Sequence, residues 1–365
     1  MQARRARTEQ QRAVFGLVAA AVAVAAIRAS QVEALPIITG DVVRNLLYGV
    51  AVREWGLDAA ARPLAELSPA WRGASWSRLP YNYPPAALAF FTLVSALSPT
   101  VFFAKAALTL VEAANAALVA RLTASRGLGL VYWASPASIW WVSREGQFEP
   151  LQSLFTLLAL VALPRFAFAA GVSLALAIQV KLTAIVMAPW IAQRCWRASP
   201  RALQLAALGL GLGLLPSVYA ELRWGALSNV LHFSAPLTYN PYYWDWTANM
   251  FSWNPGWLVL CDQLASYAML AALVTYAIRI RSAWTVAAPI AFLVLCKLHT
   301  NVQFWYFLLL APLLVPIEDR RWRFALIAAV PLLDVGSAVS LLGLPIGQHG
   351  FHGLSSVHDV YGVPR

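Results

Sequence analysis

An aspartate directly after the first long apolar segment is the first candidate for chemistry. It stands in the stretch TGDVVRNLLYGVAVREWG. If a helix begins near Thr39, then Asp41, Arg44, Asn45 and Tyr48 recur at i, i+3, i+4 and i+7 and share one face. Such an amphipathic helix would lie at a membrane surface with its polar row turned toward protein or water. The alternative is that Asp41 only favours the helix N-terminus through the helix dipole.

Further polar residues lie inside or beside apolar segments, where ionisable groups are expensive and mark a functional site or a buried pair. We interpret Lys181, within AIQVKLTAIVMAPW, as functional rather than as a snorkelling residue. His299 is equally well explained as a structural histidine. For Glu145 and Glu149 the simpler interpretation is a solvated loop charge. The whole set is Glu145, Gln147, Glu149, Lys181, Lys297 and His299.

The composition defines the class of protein in which these residues must act. The 365 residues are 60% hydrophobic and 12% charged, and the mean hydropathy is +0.63. This predicts a polytopic membrane protein with no soluble stretch large enough for a separate catalytic domain. The net charge of +11 comes from arginines in short connections, which orient spans, so we exclude nucleic acid as a partner. The three cysteines have no metal-ligand spacing, and no metal site is predicted.

The apolar segments predict an all-α protein of about eleven transmembrane helices in a single integral membrane domain, residues 1–365. Positive charge at the N-terminus and in alternate connections favours a cytoplasmic N-terminus and an external C-terminus. The excess of arginine over lysine points to a bacterium, and hence to its plasma membrane. The segments are 13–29, 84–98, 100–122, 127–142, 150–164, 166–193, 202–221, 256–278, 284–297, 301–316 and 324–343.

Two of these segments fit the charge pattern only if neither of them makes a single crossing of the membrane. Residues 84–98 are predicted as a re-entrant or surface helix, broken from what precedes it by two prolines. Residues 166–193 are predicted to turn back near Lys181. The long external loops are then 30–99, which carries amphipathic helices, and 222–255, which is rich in Trp, Tyr and Asn.

Five stretches, in this order, resemble motifs of the GT-C superfamily of membrane glycosyltransferases, with family 87 and the GPI mannosyltransferase I-like mannosyltransferases as the nearest likeness. TGDVVRNLLYGVAVREWG resembles the first external loop, in which an aspartate follows the first span. YNYPPAALAFF is similar to the YPP segment, and SREGQFEPL to the GQF-type motif of the second external loop. VKLTAIVMAPW resembles the lysine-to-proline segment, and KLHTNVQFWYFLLLAP the histidine-bearing stretch before a late span.

This resemblance implies a GT-C type fold, an external active site, a polyprenyl-phosphate-linked sugar as donor, most simply mannose, and a lipid or glycan as acceptor. It implies that Asp41 is the catalytic base, and we expect no cofactor. Because phosphate is a good leaving group, one base suffices and the site must chiefly stabilise the phosphate charge. The candidate phosphate-binding residues are Lys181, His299, Lys297 and Arg44, and the candidate substrate-binding residues are Glu145, Gln147, Tyr81 and Tyr83.

A secondary transporter or flippase for a lipid-linked or polar substrate is the alternative. In that case Asp41 and Lys181 would be substrate or coupling charges, and the prolines would mark broken helices. The sequence has no convincing inverted repeat, and its two long loops are predicted on one face, which favours the transferase.

Overall fold

The computed structural model describes residues 2–34, 36, 40–74, 77–233, 256–280, 284–298, 304–334 and 341, with backbone alone for 2–13, 231–233, 256–263, 296–298 and 304–306. Every regular element of these residues is helical, which confirms the predicted all-α class. The α-helices are α1 Gln2–Glu33, α2 Asp41–Trp55, α3 Leu64–Leu67, α4 Pro85–Leu97, α5 Val101–Thr123, α6 Arg126–Trp133, α7 Pro136–Ser138, α8 Glu149–Ala162, α9 Ala167–Val180, α10 Ala188–Ala198, α11 Pro200–Trp224, α12 Ala226–Phe233, α13 Gly256–Arg279, α14 Trp284–Leu298, α15 Leu310–Leu314 and α16 Arg320–Ala329.

Three helices among the described residues are long and apolar enough to cross a membrane: Val14–Glu33 within α1, Val101–Thr123 and Pro200–Trp224. At 1.5 Å per residue, their 20, 23 and 25 residues match the roughly 30 Å hydrocarbon core. Five further apolar helices have 10–17 residues. The chain is therefore an all-helical membrane protein, as its composition predicts.

The predicted segment 127–142 is not one continuous helix. It divides into α6, the short α7 and a π-helix at Ile139–Arg144. Pro136 stands at the start of α7, and a proline has no backbone N–H to continue the preceding helix. The later segment 301–316 is also interrupted, because a 3₁₀-helix at Phe304–Leu309 precedes α15.

The predicted external ends of the spanning helices make two polar contacts. The Lys105 ammonium, near the start of α5, donates to the Gln31 carbonyl, 3.1 Å away near the end of α1. Arg223, at the end of α11, forms an ion pair with Asp58 in the connection after α2, at 2.6 Å. The side of the membrane that these ends face stays a prediction.

Glycines set the close contact between α9 and α11. A Cβ at Gly171 would lie 2.0 Å from the Ala206 carbonyl oxygen, and one at Gly209 would lie 2.1 Å from the Phe168 carbonyl oxygen. Small residues let helix backbones approach closely in membranes, where packing rather than the hydrophobic effect drives association. The glycine-rich stretch of α11 thus fixes α9, whose C-terminal end leads to Lys181.

The helix predicted at Asp41 is present, while Thr39 lies outside the described residues. It is more buried than an amphipathic surface helix, because residues from Val42 to Tyr48 are all buried. The polar row of α2 is turned toward protein. At Gly49, α2 crosses α4 so closely that a Cβ would lie 2.3 Å from the Phe91 carbonyl oxygen.

The chain is interrupted at Lys181, where the sequence predicts a turn. Helix α9 ends at Val180, and Lys181 has extended backbone with φ −150° and ψ 137°. A 3₁₀-helix, Leu182–Met187, then leads into α10. Helix α4 likewise begins at Pro85, where the two prolines predict a break.

Candidate functional site

Asp41 lies where the start of α2 meets the loop before α8. The Gln147 side-chain amide donates to Asp41 Oδ2 at 3.3 Å, and Asp41 is the partly exposed member of this pair. Gly146 makes the approach of the two segments feasible: its φ is +74°, and a Cβ there would lie 2.7 Å from Val42. The structure therefore brings together two residues that the sequence places in separate motifs.

A buried ion pair lies beside Asp41. The Lys181 ammonium binds Glu149 Oε1, and the side chains are 6% and 0% exposed. Lys181 Nζ also lies 4.9 Å from the centre of the Phe148 ring and 5.8 Å from that of Tyr83. Asp41 is close enough to Glu149 for the two carboxylates to interact electrostatically. Glu149, interpreted from the sequence as a solvated loop charge, is instead part of the site.

The interrupted chain around Lys181 is held on both sides. Thr183 Oγ1 donates to Gln152 Oε1 on α8 at 3.2 Å. Gln179, in the last turn of α9, donates to the Gly213 carbonyl of α11. Since Gln152 lies one turn after Glu149, the same face of α8 binds both Lys181 and the segment that follows it.

Arg44, expected as a phosphate-binding residue, directs its guanidinium to the loop at residues 79–82, and its phosphate-binding role stays a prediction. The guanidinium is buried and donates to Asn82 Oδ1 and to the Pro80 carbonyl, the latter at 2.8 Å. This loop passes over α2, where Tyr48 also donates to it, at the Leu79 carbonyl. Arg44 thus holds the loop that carries Tyr81 and Tyr83.

The tyrosines of this loop belong to a chain of ring contacts that ends at the ion pair. Tyr48 and Tyr81 are 5.0 Å apart, Tyr81 and Tyr83 5.9 Å, and Tyr83 and Phe148 4.8 Å, each pair edge to face. Burial raises the pKa of Tyr48 to about 12 and that of Tyr81 further still, so both hydroxyls stay protonated. Tyr83 is partly exposed and is the ring of this loop that contacts both Phe148 and Lys181.

Glu145, expected to bind substrate, lies next to α5, and a substrate-binding role for it stays a prediction. It is fully buried and interacts electrostatically with Lys105 of α5. The neighbouring Arg144 donates to Gln31 Oε1 at 2.9 Å. Gly146, with φ +74°, separates the two side chains, so that Glu145 interacts with Lys105 while Gln147 donates to Asp41.

A second buried polar cluster, which the sequence reading did not single out, joins α1, α5 and α6 to the π-helix. Arg28 donates to the Trp133 carbonyl at 2.7 Å, to Ser138 Oγ at 2.8 Å and to Ser143 Oγ at 2.9 Å. Ser138 in turn donates to Glu112, which is fully buried. We call Arg28, Glu112, Ser138 and Ser143 the Arg28 cluster. Tyr132 and Asn115 also donate to Glu112, at 2.9 and 3.0 Å.

The remaining expected phosphate-binding residues are not placed. The Lys297 side chain and all of His299 lie outside the described residues, as do residues 234–255 of the predicted second long loop. Within the described part of the chain, no three His, Cys, Asp or Glu side chains form a group that could hold a metal ion.

The site and the fold define the class: an all-helical membrane protein in which a partly exposed carboxylate lies beside a buried ion pair. A scan against protein-family models and searches of curated proteins and of solved structures find no match to this chain.

Proposed function

We propose that this protein is a glycosyltransferase of the polyprenyl-phosphate-dependent type. It moves a sugar, most simply mannose, from the lipid phosphate to a hydroxyl of a lipid or glycan acceptor. The observation that carries the proposal is the position of Asp41. It is the partly exposed carboxylate of a site built from four of the five stretches that resemble the GT-C motifs, and Gln147 donates to it.

In the proposed reaction Asp41 takes the proton of the acceptor hydroxyl. The acceptor oxygen forms a bond to the anomeric carbon while the bond from that carbon to the phosphate oxygen breaks, and polyprenyl phosphate leaves with the electron pair. Attack from the side opposite the phosphate inverts the anomeric centre, so a β-linked donor gives an α-linked product. The partly exposed ring of Tyr83 offers an apolar surface against which a sugar ring can pack.

The finer arrangement belongs to the same proposal. The chain crosses the bacterial plasma membrane about eleven times, with the N-terminus in the cytoplasm and residues 84–98 and 166–193 as re-entrant segments. Asp41 then faces the extracytoplasmic side, where a lipid-linked donor presents its sugar. The contact of Lys105 with Gln31 supports a common side for the end of α1 and the start of α5, and the ion pair of Arg223 with Asp58 supports a common side for the end of α11 and the connection after α2.

A transporter is the second candidate, and specific observations favour it. The ion pair of Glu149 and Lys181 lies where the chain is interrupted after α9, and interrupted helices with charged residues are typical of transporter binding sites. A transporter would move the substrate without consuming it, and this difference separates the two functions.

The test uses purified protein in lipid nanodiscs with polyprenyl-phospho-mannose and a lipid extract as acceptor source. We expect donor consumption and an α-linked product from the β-linked donor. Asp41→Asn keeps the shape of the side chain and removes the base, so turnover should fall by about 10² or more. Asp58→Asn is the matched control, since Asp58 is exposed and paired with Arg223 at the surface.

Three outcomes contradict the proposal in different ways. Near-normal turnover of Asp41→Asn would remove Asp41 as the base. A β-linked product would exclude single displacement. An unchanged donor, together with movement of radiolabelled mannose or mannosyl lipid across the bilayer of proteoliposomes, would establish the transporter instead.

A further inference from the structure

Among its described residues, the candidate site has an excess of negative charge that a phosphate-binding role for Lys181 does not explain. Asp41 and Glu149 supply two carboxylates, and Lys181 supplies one ammonium. The ammonium is already bound to Glu149 and is nearly inaccessible. A donor phosphate would have to displace a buried carboxylate from Lys181 while approaching a second carboxylate.

We infer that Lys181 and Glu149 act together as an electrostatic support for Asp41, with Lys181 as the counter-ion of Glu149 rather than as a ligand of the donor phosphate. This inference rests on the proposed role of Asp41 as the base. Both residues are then positioning residues, which act on the reaction through Asp41 without touching substrate.

The physical argument starts from the two carboxylates. When two carboxylates share a site without a cation, one of them tends to take up a proton, because like charges disfavour each other's ionised form. The two carboxylates would then share a proton as a coupled pair, and Asp41 would not act as an independent base. Lys181 cancels the charge of Glu149, so that among the described residues of the site Asp41 is the uncompensated carboxylate and can accept the proton of the acceptor.

The surroundings of Asp41 limit which other groups can take this role. From α8 and its preceding loop, Glu149 and the uncharged Gln147 amide face it, and Lys181 reaches the site from the end of α9. Arg44, on the same helix as Asp41, directs its guanidinium to Asn82 and the carbonyls of residues 79 and 80. Among the described residues, Lys181 is thus the cation that neutralises Glu149.

The local structure is also that expected of a fixed support. Glu149 is at the first turn of α8, and Gln152 on the same face holds Thr183, two residues after Lys181. The Lys181 ammonium is therefore fixed by its partner and by its backbone. A phosphate ligand on a flexible stem would not need this second attachment.

The experiment is a cycle of Lys181→Met, Glu149→Gln and the double variant, each measured as turnover against pH and as thermal unfolding against pH. Lys181→Met leaves Glu149 uncompensated beside Asp41. Asp41 and Glu149 should then titrate as a coupled pair, so its pH–rate profile should show two ionisations, the higher one about one pH unit or more above the acid limb of the wild type. Glu149→Gln should show no such second ionisation. The double variant has neither charge, so its acid limb should return to that of the wild type.

Thermal unfolding tests the same relation without any assay of activity. Lys181→Met leaves a buried carboxylate without its cation, and protonation at low pH relieves that cost. Its loss of melting temperature should therefore be larger at pH 8 than at pH 5.5, about 5 °C or more at pH 8. The double variant should recover most of this loss. Thr183→Val, which removes the neighbouring attachment without changing charge, is the control and should show no such pH dependence.

The KM for the donor separates the two roles of Lys181. If Lys181 contacts the phosphate, the KM should rise about tenfold in Lys181→Met and stay high in the double variant. That result, or a double variant whose pH profile is as displaced as that of Lys181→Met, would overturn the inference. If the wild type transfers no sugar, the proposed function has failed, and the unfolding cycle alone decides whether Lys181 compensates Glu149.

Discussion

Replacing Arg28 by methionine should be among the most destabilising single changes in this protein. Arg28 lies in α1 and is 1% exposed, with its guanidinium 4.0 Å from the centre of the Trp133 ring. Methionine keeps an apolar stem of similar reach and removes the donors. The change therefore isolates the polar contribution of the Arg28 cluster from its packing.

The expected decrease in the free energy of unfolding has two sources. Four hydrogen bonds of 2.7–3.1 Å, to the Trp133 carbonyl and to Ser138 and Ser143, disappear. At roughly 0.6 kcal/mol each in a membrane, they amount to about 2 kcal/mol. The second loss is larger, because the buried Glu112 loses the cation with which it interacts electrostatically, and removing one partner of a buried charge pair typically costs about 3–5 kcal/mol. Since the two losses overlap, we expect about 3–5 kcal/mol in all.

Equilibrium unfolding in mixed micelles, followed by tryptophan fluorescence, measures this loss. Adding Glu112→Gln to Arg28→Met removes the uncompensated carboxylate, so the double variant should be more stable than Arg28→Met alone. Arg223→Met is the control, since it breaks an ion pair whose partners are 48% and 66% exposed and should cost less than about 1 kcal/mol. A loss below about 1 kcal/mol in Arg28→Met, or a double variant less stable than it, would refute this account of the cluster.

Two further predictions concern helix packing and topology. Gly209→Leu should separate α9 from α11 and lower the melting temperature by several degrees in the same micelles, because the new side chain would meet the Phe168 carbonyl. Gly211→Leu is the control and should leave the melting temperature unchanged, because Gly211 faces open space. Equal effects of the two variants would contradict the packing argument. In a cysteine-free background on intact cells, an impermeant maleimide should label Ser228→Cys and not Ala124→Cys, both exposed positions; the reverse pattern would invert the proposed topology.

The sequence predicts the helical class and the break points well, because these depend on local chemistry. Paired prolines begin α4, and the charged residue in the middle of 166–193 coincides with the interruption after α9. The prediction of continuous helices was wrong where short 3₁₀ and π segments intervene, as at Ile139–Arg144. Hydropathy measures how apolar a segment is. It does not indicate whether the backbone keeps the α-helical hydrogen-bond pattern or changes to a 3₁₀ or π pattern.

Part of the candidate site could be predicted from the sequence, namely which residues lie on a buried helix face, but not which side chains they pair with. Periodicity correctly marked the polar face of α2 that begins at Asp41. The same spacing was present in α8, at Glu149, Gln152, Ser153 and Thr156, all buried, and would have moved Glu149 from a loop charge to a buried face. Periodicity does not reveal which residues distant in sequence contact each other. The pairing of Glu149 with Lys181 and the contact of Arg44 with Asn82 are therefore seen only in the three-dimensional structure.

The Arg28 cluster and the candidate site at Asp41 are connected through the loop that carries Gln147. The Arg28 cluster holds Ser143 in the π-helix, and Gln147 follows four residues later, after the turn at Gly146. A shift of the π-helix would therefore be transmitted to the amide that orients Asp41. Buried charges that cost stability when one partner is lost can still fix a single arrangement of the chain. On this argument the Arg28 cluster contributes to the geometry of Asp41, the proposed base, from within the membrane-spanning part. If the proposed transfer takes place, Arg28→Met should lower turnover even under conditions in which the variant stays folded.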